Sequence, residues 1–417
     1  MLKMPNLRAS LLATVLAIPS GIALLALAPQ AAAQAQSGGW HKETADRVKA
    51  AQEAGNKGNF SEAIRVLKEA KVKGPLPLSP QEEQAVNEYL IYAASNVKDY
   101  KLVLQTVDER LATGRVTGAD LIRKLRLKAT TLYATGDYRG SVAAFDNLIQ
   151  TQGSATADDL IQLGSAQLVL RDFRAAIPTL EKAVVASQKA GKPSATVGKL
   201  LEGLNSAYNE TKNEAKRVET LHRLMAVSPK ASVFKQLASI YEVESKKDPV
   251  VMVNIYRLGS ARGLLSTEHY AKYAEAALDL ASPGEAVAML EKGMAGGAIK
   301  KDDRNNRLLA DAKSQVDRLK GGLAQLERET LATKNGEAEA KLAIAYFTLK
   351  EYAKAVEAGK RGIDEGKLRR ADDLNMLLGI ALMESKKPAE ARNAFKAAAA
   401  SNEKIHGVAD LWSSIGV

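Results

Sequence analysis

Side chains able to do chemistry are sparse and scattered in this sequence. Its four histidines, His41, His222, His269 and His406, stand far apart. None belongs to an H-E-x-x-H pair, the spacing that sets two imidazoles on one helical face around zinc. The stretch GKPSATVGKL at 191–200 has the glycines and lysine of a phosphate-cradling loop, but the spacing is wrong. Leu200 also stands where a magnesium-binding Ser or Thr is needed. No G-x-S-x-G occurs, and the absence of cysteine removes both a thiolate nucleophile and any disulfide. Adjacent carboxylates at Asp158-Asp159 and Asp372-Asp373 would serve acid–base or metal chemistry. Each pair precedes an apolar run, however, where carboxylates cap a helix and complement its dipole. These residues predict no catalytic site, no cofactor and no metal. One basic set remains, Arg123, Lys124, Arg126 and Lys128. Within a net charge of +11 on 417 residues it reads as a solvated face or as contacts for an acidic ligand.

The elements that would position such groups read as helix almost throughout. Apolar residues make up 46% of the chain and aromatics only 5%, with alanine and leucine prominent, which suits close-packed helices better than sheets. Prolines fall between segments. Ser79, Pro80 and Glu82 spell a helix start with a capping box. In LGIALMESKKPAEARNAF, from Leu378 to Phe395, one helix gives way through a short polar turn to a second. The same layout recurs with second helices opening at Phe60, Tyr138, Phe173, Tyr352 and Pro388. Small residues follow three places later at Ala63, Ser141, Ala176, Ala355 and Ala391. Weaker copies fall at Tyr100, Glu214, Lys247, Pro283 and near Lys320, giving a mean period of about 36 residues and an array of about ten helical hairpins. Leu309, Val316, Leu319, Leu323 and Leu326 have coiled-coil spacing, but Gly321-Gly322 interrupts it, and the set is assigned to packing within the array.

This pattern resembles the tetratricopeptide repeat family over roughly residues 42–400. Leu163-Gly164, Phe173, Ala176, Leu180 and Ala183 match its motif positions, as do Leu378-Gly379, Leu382, Ala391, Phe395 and Ala398. Asn205 departs from it, standing where a small residue is expected. The resemblance implies an all-α fold, a right-handed α-solenoid of antiparallel helical hairpins. It also implies a concave groove lined by first helices that binds proteins or peptides. Carried over, the motif positions place Ile344, Phe347, Met376, Ile380 and Met383 in a partner-binding groove, with close packing between adjacent helices as the alternative. By the same register Arg123 and Arg126 face the groove, with Gln162 and Ser165 on the next hairpin, as possible contacts for an acidic ligand.

The N-terminus reads as an export signal. Lys3 and Arg8 precede an apolar run from Leu11 to Ala28, and A-x-A sites end at Ala33 and Ala35. An uncleaved anchor is the alternative. The expected organisation is a signal peptide at 1–35, a solenoid at 36–400 and a capping segment at 401–417, with Trp412 covering the last hairpin. The function expected is a non-catalytic periplasmic scaffold for envelope proteins or peptides. It would serve an assembly, export or TonB-linked complex, with no nucleic acid and no stable membrane insertion after cleavage. An envelope hydrolase cradling its substrate in the solenoid is the rival from another class.

Overall fold

The computed structural model describes residues 40–74 and 76–416, so the export signal and its A-x-A sites lie outside the described residues. Among these residues all regular structure is helical. Hairpins pair α1 (Lys42–Asn56) with α2 (Phe60–Lys73), α3 (Pro80–Asn96) with α4 (Tyr100–Ala112), and α5 (Gly118–Ala134) with α6 (Tyr138–Gln152). They continue with α7 (Ala157–Val169) and α8 (Phe173–Lys189); α9 (Ser194–Glu210) and α10 (Glu214–Val227) follow in chain order, and then come the pairs α11 (Ala231–Glu244) with α12 (Pro249–Ala261) and α13 (His269–Asp279) with α14 (Pro283–Ala295). A single long helix, α15 (Asp303–Thr333), precedes two more hairpins, α16 (Gly336–Thr348) with α17 (Tyr352–Glu365) and α18 (Ala371–Glu384) with α19 (Pro388–Ser401). The chain closes with α20 (Glu403–Leu411) and a π-turn over Trp412–Gly416. It divides into two compact units, one ending at Arg217 and the other starting at Val218. No helix of the described residues is long and apolar enough to cross a membrane.

The hairpin turns share one geometry. The residue two places before each second helix is Gly58, Lys98, Gly136, Arg171, Lys212, Lys247, Ala281, Lys350 or Lys386, and its φ lies between 53° and 83°. This left-handed step ends the first helix, and the next N–H returns to a carbonyl one turn back: Asp99 to Ala94 and Asp172 to Gln167 at 2.9 Å, Lys387 to Leu382 at 2.8 Å. Asn59, Asp99, Asp137 and Asp172 then cap the second helix, each accepting from the backbone N–H three residues on. Asp159 acts as foreseen for its pair, completing a capping box with Thr156.

The spacing of small and large residues becomes packing inside the hairpin. Gly164 lies against Leu180, so that a Cβ there would stand 2.7 Å from Leu180 Cδ2. At the matching place in the later hairpin a Cβ on Gly379 would collide with the Phe395 ring, and Ala391 and Phe395 are wholly buried. The tetratricopeptide-like hairpin is therefore present in the atoms as well as in the letters.

The copy near Lys320 is a correction. No hairpin forms there, and α15 runs unbroken through Gly321-Gly322 for 31 residues. Glycine weakens a helix by about 1 kcal/mol relative to alanine, but a turn also needs a cap to start the next helix. Leu323, Ala324 and Gln325 offer none. Replacing Gly379→Leu should cost about 1–3 kcal/mol through overpacking against Phe395. Denaturant unfolding measures this, and an unchanged midpoint would contradict the placement.

Candidate functional site

In the C-terminal unit the apolar residues expected to line an open groove are mostly covered. Met376 is fully buried, Phe347 and Ile380 are each 5% exposed, and only Ile344 and Met383 are partly accessible. This corrects the reading of a partner groove at these positions, and close packing explains them. The cover comes from the unit itself. The Arg257 guanidinium of α12 sits 4.8 Å over the Phe347 ring. The final helix α20 and its π-turn pack against α12, where the Trp412 indole N–H donates to the Asn254 carbonyl at 3.0 Å. Trp412 also stacks on Phe395, with ring centroids 5.5 Å apart.

Beneath this cover lies a polar cluster with no precedent in the sequence reading. Arg257 forks onto Glu285, Nε to Oε1 at 3.0 Å and Nη2 to Oε2 at 2.7 Å, while Nη1 donates to Asn254 at 3.0 Å. Tyr273 and Ser282 donate to the same carboxylate at 2.7 and 2.8 Å. Burial alone would raise the Glu285 pKa, but the Arg257 charge and these hydrogen bonds outweigh it and hold the carboxyl below its usual range. Burial conversely raises the pKa of nearby Asp373. A carboxylate gripped by four donors is a poor base, and these contacts join α12 to α13 and α14. Its signal in the sequence was Arg257 inside PVVMVNIYRLGSA, a cation in an apolar helix that demands a partner.

The basic set of the N-terminal unit is also engaged. Arg126 donates to Asp159 at 2.8 and 3.0 Å and to Gln152 at 2.9 Å, tying α5 to α7 and to the end of α6. Its pKa is raised, first by the hydrogen bond to Asp159. Lys124 is buried and meets Glu88 of α3 at 2.6 Å. Arg126 as a free acidic-ligand contact is therefore corrected, because the chain supplies its own acid. Arg123 pairs with Asp120 at 3.0 Å among the described residues and keeps 55% of its side chain exposed. Ser165 is buried, its hydroxyl donating to Ile161 O at 2.7 Å, and Gln162 is half-buried.

The structure brings together two of the four histidines. His222 and His406 line a pocket of about 270 Å³ with Tyr241, Glu403 and Gly407. His222 Nε2 lies 2.8 Å from the Tyr241 hydroxyl, and His406 Nε2 lies 3.2 Å from Asp410. Burial lowers the His222 pKa to about 4, countered in part by Asp410 and Glu219. Elsewhere His41 meets Glu82 at 3.1 Å and His269 accepts from the Ser266 N–H at 3.0 Å.

No protein-family model matches the chain, and no curated protein does. Solved structures are similar to it in their hairpin architecture. A tetratricopeptide repeat protein from Parabacteroides merdae is 14% identical, covering 66% of this chain and all of that one, with a TM-score of 0.35. The C-terminal part of a repeat protein from Cytophaga hutchinsonii is 17% identical over 77% of this chain and all of its own, with a TM-score of 0.31. The TPR2AB domain of yeast Sti1, solved as a pHSP90 complex, is 13% identical over 72% of this chain and all of its own, with a TM-score of 0.25.

Two outcomes follow from the buried groups. Glu285→Ala strands Arg257 and should cost about 3–5 kcal/mol, whereas Arg257→Met with Glu285→Leu should recover most of that in denaturant unfolding. His222 has a folded-state pKa of about 4, below its ordinary 6.5, so folding favours the neutral ring. Its contribution is complete above about pH 6.5 and is lost as pH falls toward 4. Thermal melts of His222→Gln should show a flatter decline across that window than the parent.

Proposed function

We propose that the chain is a non-catalytic scaffold, exported to the periplasm, that holds a protein or peptide of the cell envelope against the first helices of its N-terminal unit. The observation that carries the reading is the run of stacked hairpins in the N-terminal unit, from Lys42 to Lys189. Their first helices carry the exposed Arg123 on α5 and half-buried side chains at Tyr92 on α3, Thr130 and Tyr133 on α5, and Gln162 on α7. Such a row combines rigid aromatic area with adaptable polar groups, the mixture that suits an extended segment or a helix. The binding surface thus moves from the covered C-terminal positions to the N-terminal unit. The charge pattern and A-x-A sites of the first 35 residues support export. The pathway served is an envelope assembly, export or TonB-linked one.

The test is cross-linking in intact cells with a C-terminally tagged chain. A discrete envelope protein should be captured. It should be lost with Arg123→Glu plus Gln162→Arg, surface changes that alter stability by only about 0.5 kcal/mol. Deleting residues 9–29 should retain the chain in the cytoplasm and abolish capture. Capture of the chain alone, or capture indifferent to both changes, overturns the reading.

A further inference from the structure

In the C-terminal unit α15 stands between hairpins without a partner of its own. Its 31 residues span about 46 Å, while its neighbours α14 and α16 have 13 residues each. One face is held by those neighbours: Ala312 and Thr330 are buried, Lys313 meets Glu291 at 2.7 Å, and Glu327 accepts from the Tyr346 hydroxyl. Leu309, Val316, Leu319, Leu323 and Leu326 are half-buried on the same side.

The opposite face is bare. At steps of three and four lie Ser314, Asp317, Gly321, Ala324, Arg328 and Leu331, every one exposed, with Leu331 at 58%. Asp317 and Arg328 form no ion pair among the described residues. Gly164, Gly293 and Gly379 stand where a Cβ would strike a neighbour, but a Cβ on Gly321 or Gly322 would meet nothing within 4 Å. Mid-helix glycine weakens the helix, and no intrachain contact here requires its small size.

The order of these residues has its own symmetry. Outward from the midpoint between Gly322 and Leu323, Gly321 is matched by Ala324, Asp317 by Arg328 and Ser314 by Leu331. A two-fold axis through that point lays the face antiparallel on a copy of itself. The central layers then meet their complements, glycine on alanine at the crossing and opposite charges in the next layers, with leucine beside serine outermost. A two-fold interface demands this self-complementarity, because residue i must suit residue j in both directions. Parallel pairing would set Asp317 on Asp317 and Arg328 on Arg328. We propose that the exposed face of α15 is a self-association site, pairing two copies of this chain antiparallel across Gly321. The glycine lets the two backbones approach, and the charges fix direction and register.

Sedimentation equilibrium of the full chain tests this. The parent should show a monomer–dimer equilibrium. Asp317→Arg alone and Arg328→Asp alone should each weaken it about tenfold or more by setting like charges opposite. The double variant should recover the parent affinity, and mixing the two single variants should form the heterodimer. Gly321→Leu should abolish dimers while leaving the melting temperature unchanged or higher, since a Cβ there meets nothing within 4 Å among the described residues. A parent that stays monomeric to about 200 µM overturns the proposal. So does a dimer that the charge exchange fails to restore.

Discussion

Two helices joined by a short left-handed turn must touch within a few residues of where they part. What fills that first contact decides whether the hairpin closes. Here it is a small residue on one helix facing a large one on the other, Gly164 against Leu180 and Gly379 against Phe395. Seven of the nine turns place a residue other than glycine at positive φ. That strain of about 1–2 kcal/mol per turn persists because the contact and the capping bonds around it leave the chain no better path. Every later feature presupposes closed hairpins, including the stacking of neighbours, the row of first-helix side chains and the shielded polar cluster.

Between hairpins the joining is different in kind. Apolar contact alone is tolerant of sliding and rotation, whereas a forked guanidinium has one good position. Arg126 on Asp159, Lys124 on Glu88 and Arg257 on Glu285 each cross from one hairpin to the next or within its neighbour, and each buries at least one charge. Such pairs contribute little net stability, because desolvation offsets the attraction, but a displaced register would leave a charge buried and alone. They set how one repeat sits on the next.

The hairpins were legible in the sequence because their constraint is local and repeats: size alternates at fixed spacing over a dozen or so residues. The ion pairs were not read, because each partner lies about one repeat away, 33 residues from Arg126 to Asp159 and 36 from Lys124 to Glu88. Opposite charges offset by one period are a usable signal that residue-by-residue reading passes over. Phe347, Met376 and Ile380 were misplaced for a related reason. Motif register places them on a concave face but does not tell what returns to cover it, and over Phe347 that is Arg257, from far earlier in the chain. Gly321-Gly322 misled in the other direction, because glycine without a following cap thins a helix and does not end it.

The indole–carbonyl bond between Trp412 and Asn254 joins positions 158 residues apart in a protein whose helices mostly pack on their neighbours in the chain. A stack of hairpins tied only to their neighbours frays from its ends and can assemble piece by piece. A stack whose last helix is also fastened near its first must close a long loop before it gains that contact, and must lose it before either end can loosen. Refolding of the C-terminal unit thus waits on this closure, while the N-terminal hairpins can form one after another. The two halves of one repetitive chain would then differ in kinetic order, one incremental and the other all at once.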